Sequence, residues 1–297
     1  FRNGEELISD ERKLNAFNFT LFSGSWDNTV KKINFDGNQV WSFDGHTDDI
    51  YCVAVDSDGY VYSGSQDNTV KKIDSSGNEV WTFSGHTGTI RGVAVDSNGN
   101  VYSGSLDNTV KKIDSSGNEV WTFTGHTDFI LAVTVDSNGY VYSGSYDNTV
   151  KKIDSSGNGV WTFSGHTDSV FSIAVDSNGN VYSGSRDQTT RKIDPNGNEV
   201  WTFNGHGNDV KGIAVDLDGN VYTGEAYKLR KIDSSGNEVW AVNTGAVLGI
   251  SVISITGHIY IAEGNNRVRK IDSSGNEIWT FSGHTNDVRD VDVYLDY

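Results

Sequence analysis

Histidine is the residue type in this sequence best suited to acid–base or metal chemistry, and the chain contains seven. Five stand in Gly-His-Thr triplets, at His46, His86, His126, His166 and His284, and the others are His206 and His258. Metal-binding motifs place their ligands a few residues apart, whereas these histidines lie tens of residues apart. The spacing therefore predicts no metal site.

Other motifs of catalysis and cofactor binding are missing from the sequence. There is no GxSxG nucleophile elbow, no P-loop and no GxGxxG. The turn Asp96-Ser97-Asn98-Gly99 is similar to the opening of a calcium loop but lacks the later ligands, so a plain hairpin turn is favoured and calcium stays as an alternative. With the single Cys52, no intramolecular disulfide can form. We predict a protein without catalytic activity or a cofactor.

The charge balance excludes several kinds of partner. Lys and Arg number 23 against 40 Asp and Glu, which gives a net charge of −17. Nucleic-acid binding depends on clustered basic residues, so we expect no nucleic-acid partner. No apolar run approaches the roughly 20 residues of a membrane-spanning helix, so no membrane insertion is expected.

The elements that carry these residues form an internal repeat of about 40 residues. Its marker is a tryptophan series with spacings of 40, 40, 40, 40, 39 and 39 residues, at Trp41, Trp81, Trp121, Trp161, Trp201, Trp240 and Trp279. Each unit holds four short β-rich runs, such as IRGVAVD, NVYSGS, TVKKID and NEVWTF, separated by turn-forming residues. The pattern predicts four antiparallel strands per unit and no helix.

The units predict an all-β, seven-bladed β-propeller that closes on itself. The first unit supplies strands two to four, and the run from Val288 to Asp296 supplies the missing first strand. An open solenoid would expose both half-units as sheet edges, which is unfavourable. We assign residues 18–297 to the propeller and residues 1–17 to a non-repeat segment or linker. This segment suggests a monomeric domain within a larger chain or assembly.

The repeats resemble those of the WD-repeat propeller family. The resemblance rests on the Gly-His-Thr triplets and on SGSxDNTVK, although Ile73-Asp74 and its equivalents replace the Trp-Asp dipeptide. The tryptophan in DSSGNEVW is similar to the tryptophan-docking repeat of pyrroloquinoline-quinone propellers. The segment from Ile259 to Asp272, IYIAEGNNRVRKID, is similar to an NHL repeat.

The WD resemblance implies that the histidine of each triplet bonds the aspartate of the second turn in its blade. The implied pairs are His46/Asp67, His86/Asp107, His126/Asp147, His166/Asp187 and His284/Asp27. In the sixth unit Gly245-Ala246 and Asn265 replace both partners together, as expected if an unpaired buried group costs about 1 to 3 kcal/mol. His206 faces a shortened turn with no aligned Asp, so it either pairs with Glu225 or is left without a partner.

Differences between the near-identical units concentrate on one end of the propeller, which we call the variable rim. It carries the Gly-His-Thr loops and the second turns, whereas the Asp-Gly turns lie on the opposite rim. The variable positions are Trp26, Tyr51, Gln66, Arg91, Leu106, Phe129, Leu131, Tyr146, Phe171, Arg186, Lys211 and Arg289. Trp, Tyr, Phe and Arg are enriched at binding hot spots, so the rim predicts a binding face for a protein or peptide.

Two other functions stay open beside this one. The aromatic residues of the variable rim could stack on sugars, as in a carbohydrate-binding or surface-adhesion module. A quinone-dependent oxidoreductase is suggested only by the tryptophan-docking resemblance. The compartment stays open, with a lean to an extracellular or surface-exposed location. One Cys is compatible with any compartment, and Asn18-Phe19-Thr20 fits a glycosylation sequon that can equally arise by chance. The repeated Lys-Lys pairs, as at Lys111-Lys112, are expected on a solvated outer face.

Overall fold

The computed structural model describes residues 18–296, and these form seven four-stranded antiparallel sheets arranged as a closed propeller. The predicted fold class is confirmed. The segment 1–17 lies outside the described residues. Within the described range, no helix is long and apolar enough to cross a bilayer.

Each sheet is one blade, and its strands run in order from the central channel outward. Blade 1 contains β28 (Val288–Asp296), β1 (Asn18–Ser25), β2 (Val30–Ile33) and β3 (Gln39–Phe43). Blade 2 contains β4 (Ile50–Val55), β5 (Val61–Ser65), β6 (Val70–Ile73) and β7 (Glu79–Phe83). Blade 3 contains β8 (Ile90–Val95), β9 (Val101–Ser105), β10 (Val110–Ile113) and β11 (Glu119–Phe123).

The remaining four blades follow the same plan. Blade 4 contains β12 (Ile130–Val135), β13 (Val141–Ser145), β14 (Val150–Ile153) and β15 (Gly159–Phe163). Blade 5 contains β16 (Val170–Val175), β17 (Val181–Ser185), β18 (Thr190–Ile193) and β19 (Glu199–Phe203). Blade 6 contains β20 (Gly212–Val215), β21 (Val221–Gly224), β22 (Lys228–Ile232) and β23 (Glu238–Asn243). Blade 7 contains β24 (Val247–Ile253), β25 (His258–Glu263), β26 (Arg267–Ile271) and β27 (Glu277–Phe281).

The two ends of the described chain complete blade 1 together. Strand β1 pairs antiparallel with β28, from Asn18 opposite Asp296 to Ser25 opposite Val288. Apolar residues of both strands, among them Leu21 and Val291, join one buried cluster with Tyr260 of blade 7. The closure therefore has both a hydrogen-bonded ladder and a core of its own.

The hydrophobic core lies between neighbouring blades. One cluster joins Tyr62, Val70 and Phe83 of blade 2 to Ile90 and other buried residues of blade 3. This packing follows from the alternation of the strands, because a four-stranded sheet can bury its apolar faces only against the next sheet. The inner strands consequently stand side by side around the central channel.

The repeated tryptophan ties each blade to the next on the opposite rim. Trp81 of blade 2 donates from Nε1 to the carbonyl oxygen of Ser115 in blade 3, at 3.1 Å. Gly117 of the same turn has a φ of 90°, and a Cβ atom there would lie 3.2 Å from the Trp81 ring. Equivalent bonds leave all seven tryptophans of the series, the last from Trp279 to Phe35.

The expectation of a solvated outer face for the Lys-Lys pairs is wrong for several of them. Lys71 and Lys72 are both buried. Lys71 bonds Glu79 of the adjacent strand at 3.0 Å, and the Lys72 ammonium lies 4.2 Å from the centre of the Tyr60 ring. The first lysine thus forms an ion pair, and the second packs on an aromatic ring with its charge over the face.

Candidate functional site at the mouth of the channel

The loops of the variable rim are held by hydrogen bonds between histidine and aspartate. In blade 3, His86 Nδ1 lies 2.8 Å from Asp107 Oδ2, and His86 Nε2 lies 2.8 Å from the Ser103 hydroxyl. Because a carboxylate only accepts, we assign the ring proton to Nδ1, and Nε2 then accepts from Ser103. The other four predicted pairs are brought together at the same distance: His46/Asp67, His126/Asp147, His166/Asp187 and His284/Asp27.

Each of these aspartates stays ionised far into the acid range. Burial of Asp107 opposes ionisation, but hydrogen bonds from His86, Thr109 and the Thr87 amide outweigh it and hold its pKa well below the usual range. The other four aspartates have pKa values lowered by the same causes. The bonded aspartates and histidines are therefore part of the framework beneath the rim.

Blades 6 and 7 hold the same loop with a glutamate. His206 Nε2 forms a hydrogen bond with the Thr190 hydroxyl at 2.9 Å. Its Nδ1 lies 3.6 Å from Glu225 Oε1, which is too far for a hydrogen bond. Burial lowers the pKa of His206 to about 4. Glu225 accepts instead from the Gly207 amide at 3.0 Å, and Glu263 accepts from the Gly245 amide at 2.8 Å. Sequence reasoning did not predict this role for Glu263, although it stands where other blades have the last Ser of SGS.

In six inner strands the second residue points into the mouth of the channel, and in blade 6 Lys211, just before β20, takes that position. A cavity of about 320 Å³ opens there, within the volume range typical of ligand pockets. Eight of the twelve predicted rim residues border it: Tyr51, Arg91, Leu131, Tyr146, Phe171, Arg186, Lys211 and Arg289. A narrower cavity of about 140 Å³ continues below it and shares Arg91 and Phe171 in its lining.

The remaining four predicted rim residues lie beside the cavity without bordering it. Trp26 packs edge-on against Tyr51, with ring centres 5.8 Å apart. Gln66 accepts a hydrogen bond from the Tyr51 hydroxyl at 3.2 Å. Phe129 contacts Tyr146, with ring centres 5.9 Å apart. Leu106 donates a hydrogen bond from its backbone amide to the carbonyl oxygen of Thr89 at 2.9 Å.

Two residues that border the cavity were not among the predicted site residues. Leu248 occupies in blade 7 the position that Arg91 occupies in blade 3, one residue after the first buried residue of the inner strand. Alignment of VLGISV with IRGVAV would have identified it. Asp209 lies just before β20 and borders the cavity beside Lys211.

One side of the mouth is cationic and aromatic. The Arg91 guanidinium lies 4.1 Å from the centre of the Tyr51 ring, and that of Arg289 lies 4.6 Å from the Trp26 ring. Burial, with a smaller contribution from the nearby charge of Arg91, lowers the pKa of Arg289 to about 10. Within residues 18–296, the buried Arg289 Nε and Trp26 Nε1 atoms have no hydrogen-bond partner.

The other side of the mouth is mainly apolar. Leu131, Phe171 and Leu248 border the cavity on inner strands β12, β16 and β24, and Lys211 of blade 6 lies between Phe171 and Leu248. Tyr146 packs edge-on against Phe171, with ring centres 6.2 Å apart, so the aromatic surface extends onto the second turn of blade 4. The mouth thus combines a cationic sector with an apolar one.

The Asp-Gly turns of the opposite rim use their carboxylates internally. Asp96 Oδ1 accepts from the amides of Asn98 and Asn100, each at 2.9 Å, and Oδ2 accepts from the Tyr102 hydroxyl at 3.0 Å. These bonds are those of a side chain that caps its own turn. Among the described residues, no group of three or more His, Cys, Asp or Glu side chains could hold a metal ion.

Two protein-family models match this chain. The model described as outer membrane protein assembly factor BamB matches residues 66–186 and 186–292, and the model described as WD domain, G-beta repeat matches residues 37–74. Comparison with curated protein sequences gives no match. Propellers of the WD-repeat type commonly serve as protein-interaction scaffolds and are generally not catalytic. The BamB matches together span well over half of the 297 residues, so the chain belongs to that family and is a WD-repeat-like seven-bladed propeller.

Proposed function

We propose that this protein is a non-catalytic binding scaffold that recognises a protein or peptide partner at the mouth of its variable rim. The observation that carries the proposal is the convergence of Tyr51, Arg91, Phe171 and other variable positions on one cavity. Residues that differ between otherwise repeated blades are not needed for the common fold. Their concentration around a concave site favours selection for binding.

The surrounding framework supports recognition by a preorganised surface. The His/Asp bonds lie beneath the rim and fix the loops on which Gln66 and Tyr146 stand. Rigid aromatic side chains bind at a low entropic cost because few rotatable bonds must be ordered. The matched BamB family is described as an assembly factor for outer membrane proteins, a task carried out on other protein chains. That description agrees with a polypeptide partner.

The test is selection of short random peptides displayed on phage against the immobilised protein. We expect the selected peptides to lose at least about tenfold in affinity when Arg91 or Phe171 is replaced by Ala, as hot-spot residues do. Tyr140→Ala is the matched control, because Tyr140 is a half-buried aromatic residue on the opposite rim. The melting temperature of each variant is measured alongside.

Two results would contradict the proposal. One is binding that Tyr140→Ala weakens and the variable-rim substitutions leave unchanged. The other is enrichment of no peptide, together with selective binding to glycans on an array, which would support a carbohydrate-binding module instead.

A further inference from the structure

We propose that the mouth of the variable rim is an anion site, and that its occupant is an acidic side chain or terminal carboxylate of a peptide bound between Arg91, Lys211 and Arg289. This inference rests on the proposed function and specifies the chemistry of the partner.

The sign of the charge reverses at the mouth. The protein carries a net charge of −17, yet the residues bordering the cavity of about 320 Å³ include four cations and the single carboxylate of Asp209. The cations are Arg91, Lys211, Arg289 and Arg186, the last of which lies 3.9 Å from Asp168. A cationic cavity on an acidic surface attracts an anionic group to that one place and repels it elsewhere.

Three of these cations have no carboxylate partner in the described part of the chain. Arg91, Lys211 and Arg289 form no ion pair within 4.0 Å there. The outer-strand arginines behave differently. Arg191 pairs with Glu199, and Arg269 pairs with both Glu263 and Glu277.

Two of these cations are held close together. The guanidinium carbons of Arg91 and Arg289 lie 4.1 Å and 5.4 Å from the centre of the same Tyr51 ring. Their repulsion contributes to the lowered pKa of Arg289. The acids whose charges act on Arg289 are Asp49, Asp287 and Asp290, and none of them lies within ion-pair distance of it. Asp290 lies deeper in the channel, where its Oδ2 accepts from the Val53 amide at 3.0 Å. An incoming carboxylate would relieve the repulsion and supply the missing acceptor for Arg289 Nε.

The mouth fits a peptide better than an extended polyanion. A nucleic acid would bring many phosphates against a surface that is acidic outside the mouth. A peptide can place one or two carboxylates in the cationic sector and an apolar side chain against Leu131, Phe171 and Leu248. The composition of the cavity therefore fits an acidic residue close to a hydrophobic one.

The experiment uses the full chain and two immobilised peptide arrays of defined composition. One array carries short peptides that combine Asp, Glu and the carboxyl terminus with Leu or Phe, and the other carries the same peptides with Asn, Gln and a terminal amide. A single-stranded oligonucleotide of matched length serves as the polyanion probe. Affinities for the best peptide are then measured by fluorescence anisotropy at increasing NaCl concentration.

We expect the acidic array to bind and the amide array to bind at least about tenfold more weakly, with an affinity that falls as salt rises. Arg91→Gln and Arg289→Gln should each lower the affinity by about 10- to 100-fold. Lys151→Gln is the matched control. It removes one positive charge from an outer strand, where Lys151 bonds Thr162 and Gly159 replaces the glutamate of other blades.

The outcomes separate this inference from the proposed function. Peptides that bind through Phe171 equally well as acids and as amides would overturn the anion site and leave the peptide-binding function standing. Binding lowered equally by Lys151→Gln would show that net charge and not the mouth is responsible, which also overturns the anion site. Tighter binding of the oligonucleotide than of any peptide would overturn both.

Discussion

Replacement of Asp107 by Ala should destabilise blade 3 without touching the mouth of the channel. The Asp107 carboxylate accepts four hydrogen bonds: from His86 Nδ1 at 2.8 Å, the Thr87 amide at 3.0 Å, and the Thr109 amide and hydroxyl at 3.0 and 2.6 Å. Water can reach the two loop amides after the substitution. It cannot reach His86, whose side chain is fully buried.

The expected loss in the free energy of unfolding follows from these contacts. One buried donor left without a partner costs about 1 to 3 kcal/mol, and loss of the bonds to a charged acceptor adds about 1 to 2 kcal/mol. We therefore expect the free energy of unfolding to fall by about 2 to 5 kcal/mol. The substitution His86→Ala should cost less when Asp107 is already Ala, with a coupling energy of about 1 to 2 kcal/mol in the double-mutant cycle.

Urea unfolding followed by tryptophan fluorescence measures both quantities, and hydrogen exchange at Thr87 and Thr109 reports the local loss of protection. Asn265→Ala is the control, because Asn265 occupies the equivalent turn of blade 7, whose loop residues Gly245-Ala246 include no histidine. A loss of less than 1 kcal/mol for Asp107→Ala, or strictly additive effects of the two substitutions, would refute the view that the pair supports the rim. Affinity for a selected peptide should be unchanged in Asp107→Ala.

Three further predictions concern acid stability, the closing strand and the opposite rim. The five histidine-bonded aspartates have lowered pKa values, so their contribution to the free energy of unfolding is present above pH 4 and is lost as the pH falls below 4. Potentiometric or denaturant titration should show the free energy of unfolding falling by up to about 7 kcal/mol per pH unit in acid. Burial raises the pKa of Asp290 to about 7, so Asp290→Asn should stabilise the protein increasingly as the pH rises from 4 to 7. Above pH 7 the gain in the free energy of unfolding should reach about 2 kcal/mol. An unchanged denaturation midpoint at pH 8 would contradict this prediction. Gly117→Ala forces a left-handed backbone and displaces the Trp81 ring, so it should cost about 1 to 3 kcal/mol and alter Trp81 fluorescence, whereas Gly159→Ala, with ordinary contacts, should not.

The sequence predicts the fold well because each structural signal is repeated. A single copy of NEVWTF would be ambiguous, but seven tryptophans at regular spacing define both the unit and the number of blades. The half-units at the two ends predict the pairing of β1 with β28, and the registry between Asn18 and Asp296 follows from it. The Asp-Gly and Asp-Asn turns identify the hairpins by their chemistry alone.

Side-chain contacts, within a blade as well as between blades, are harder to predict, because they depend on distances that strand patterns do not contain. The Lys-Lys pairs show this: alternation says that Lys71 and Lys72 face opposite sides of β6, but not that Tyr60 covers one and Glu79 binds the other. Glu263 is another example. Its role depends on its reach to the Gly245 amide, and the family pattern of histidine and aspartate gave no sign of it.

The candidate site was predicted as a set of residues and not as a cavity. Comparison of the repeats identifies the variable positions, since each unit serves as a reference for the others. It does not tell which of them border the mouth. Trp26 appears in sequence as the most prominent binding residue, yet in the structure it is half-buried and packs beside Tyr51 and Arg289.

The arrangement of the bonds explains why one end of this propeller can vary. On the opposite rim the tryptophan of every blade bonds the next blade, and most blades cap their turns with an aspartate, so a change there breaks a contact in the framework. On the variable rim the framework bonds involve the histidine, the aspartate and the serine beneath them. The position that Arg91 occupies belongs to none of these bonds, and sevenfold repetition brings its equivalents to the mouth from every blade. Single substitutions at that position can therefore place Arg289 and Arg91 on one side of the mouth and Leu131, Phe171 and Leu248 on the other, with Lys211 between Phe171 and Leu248, without altering any bond that closes the propeller.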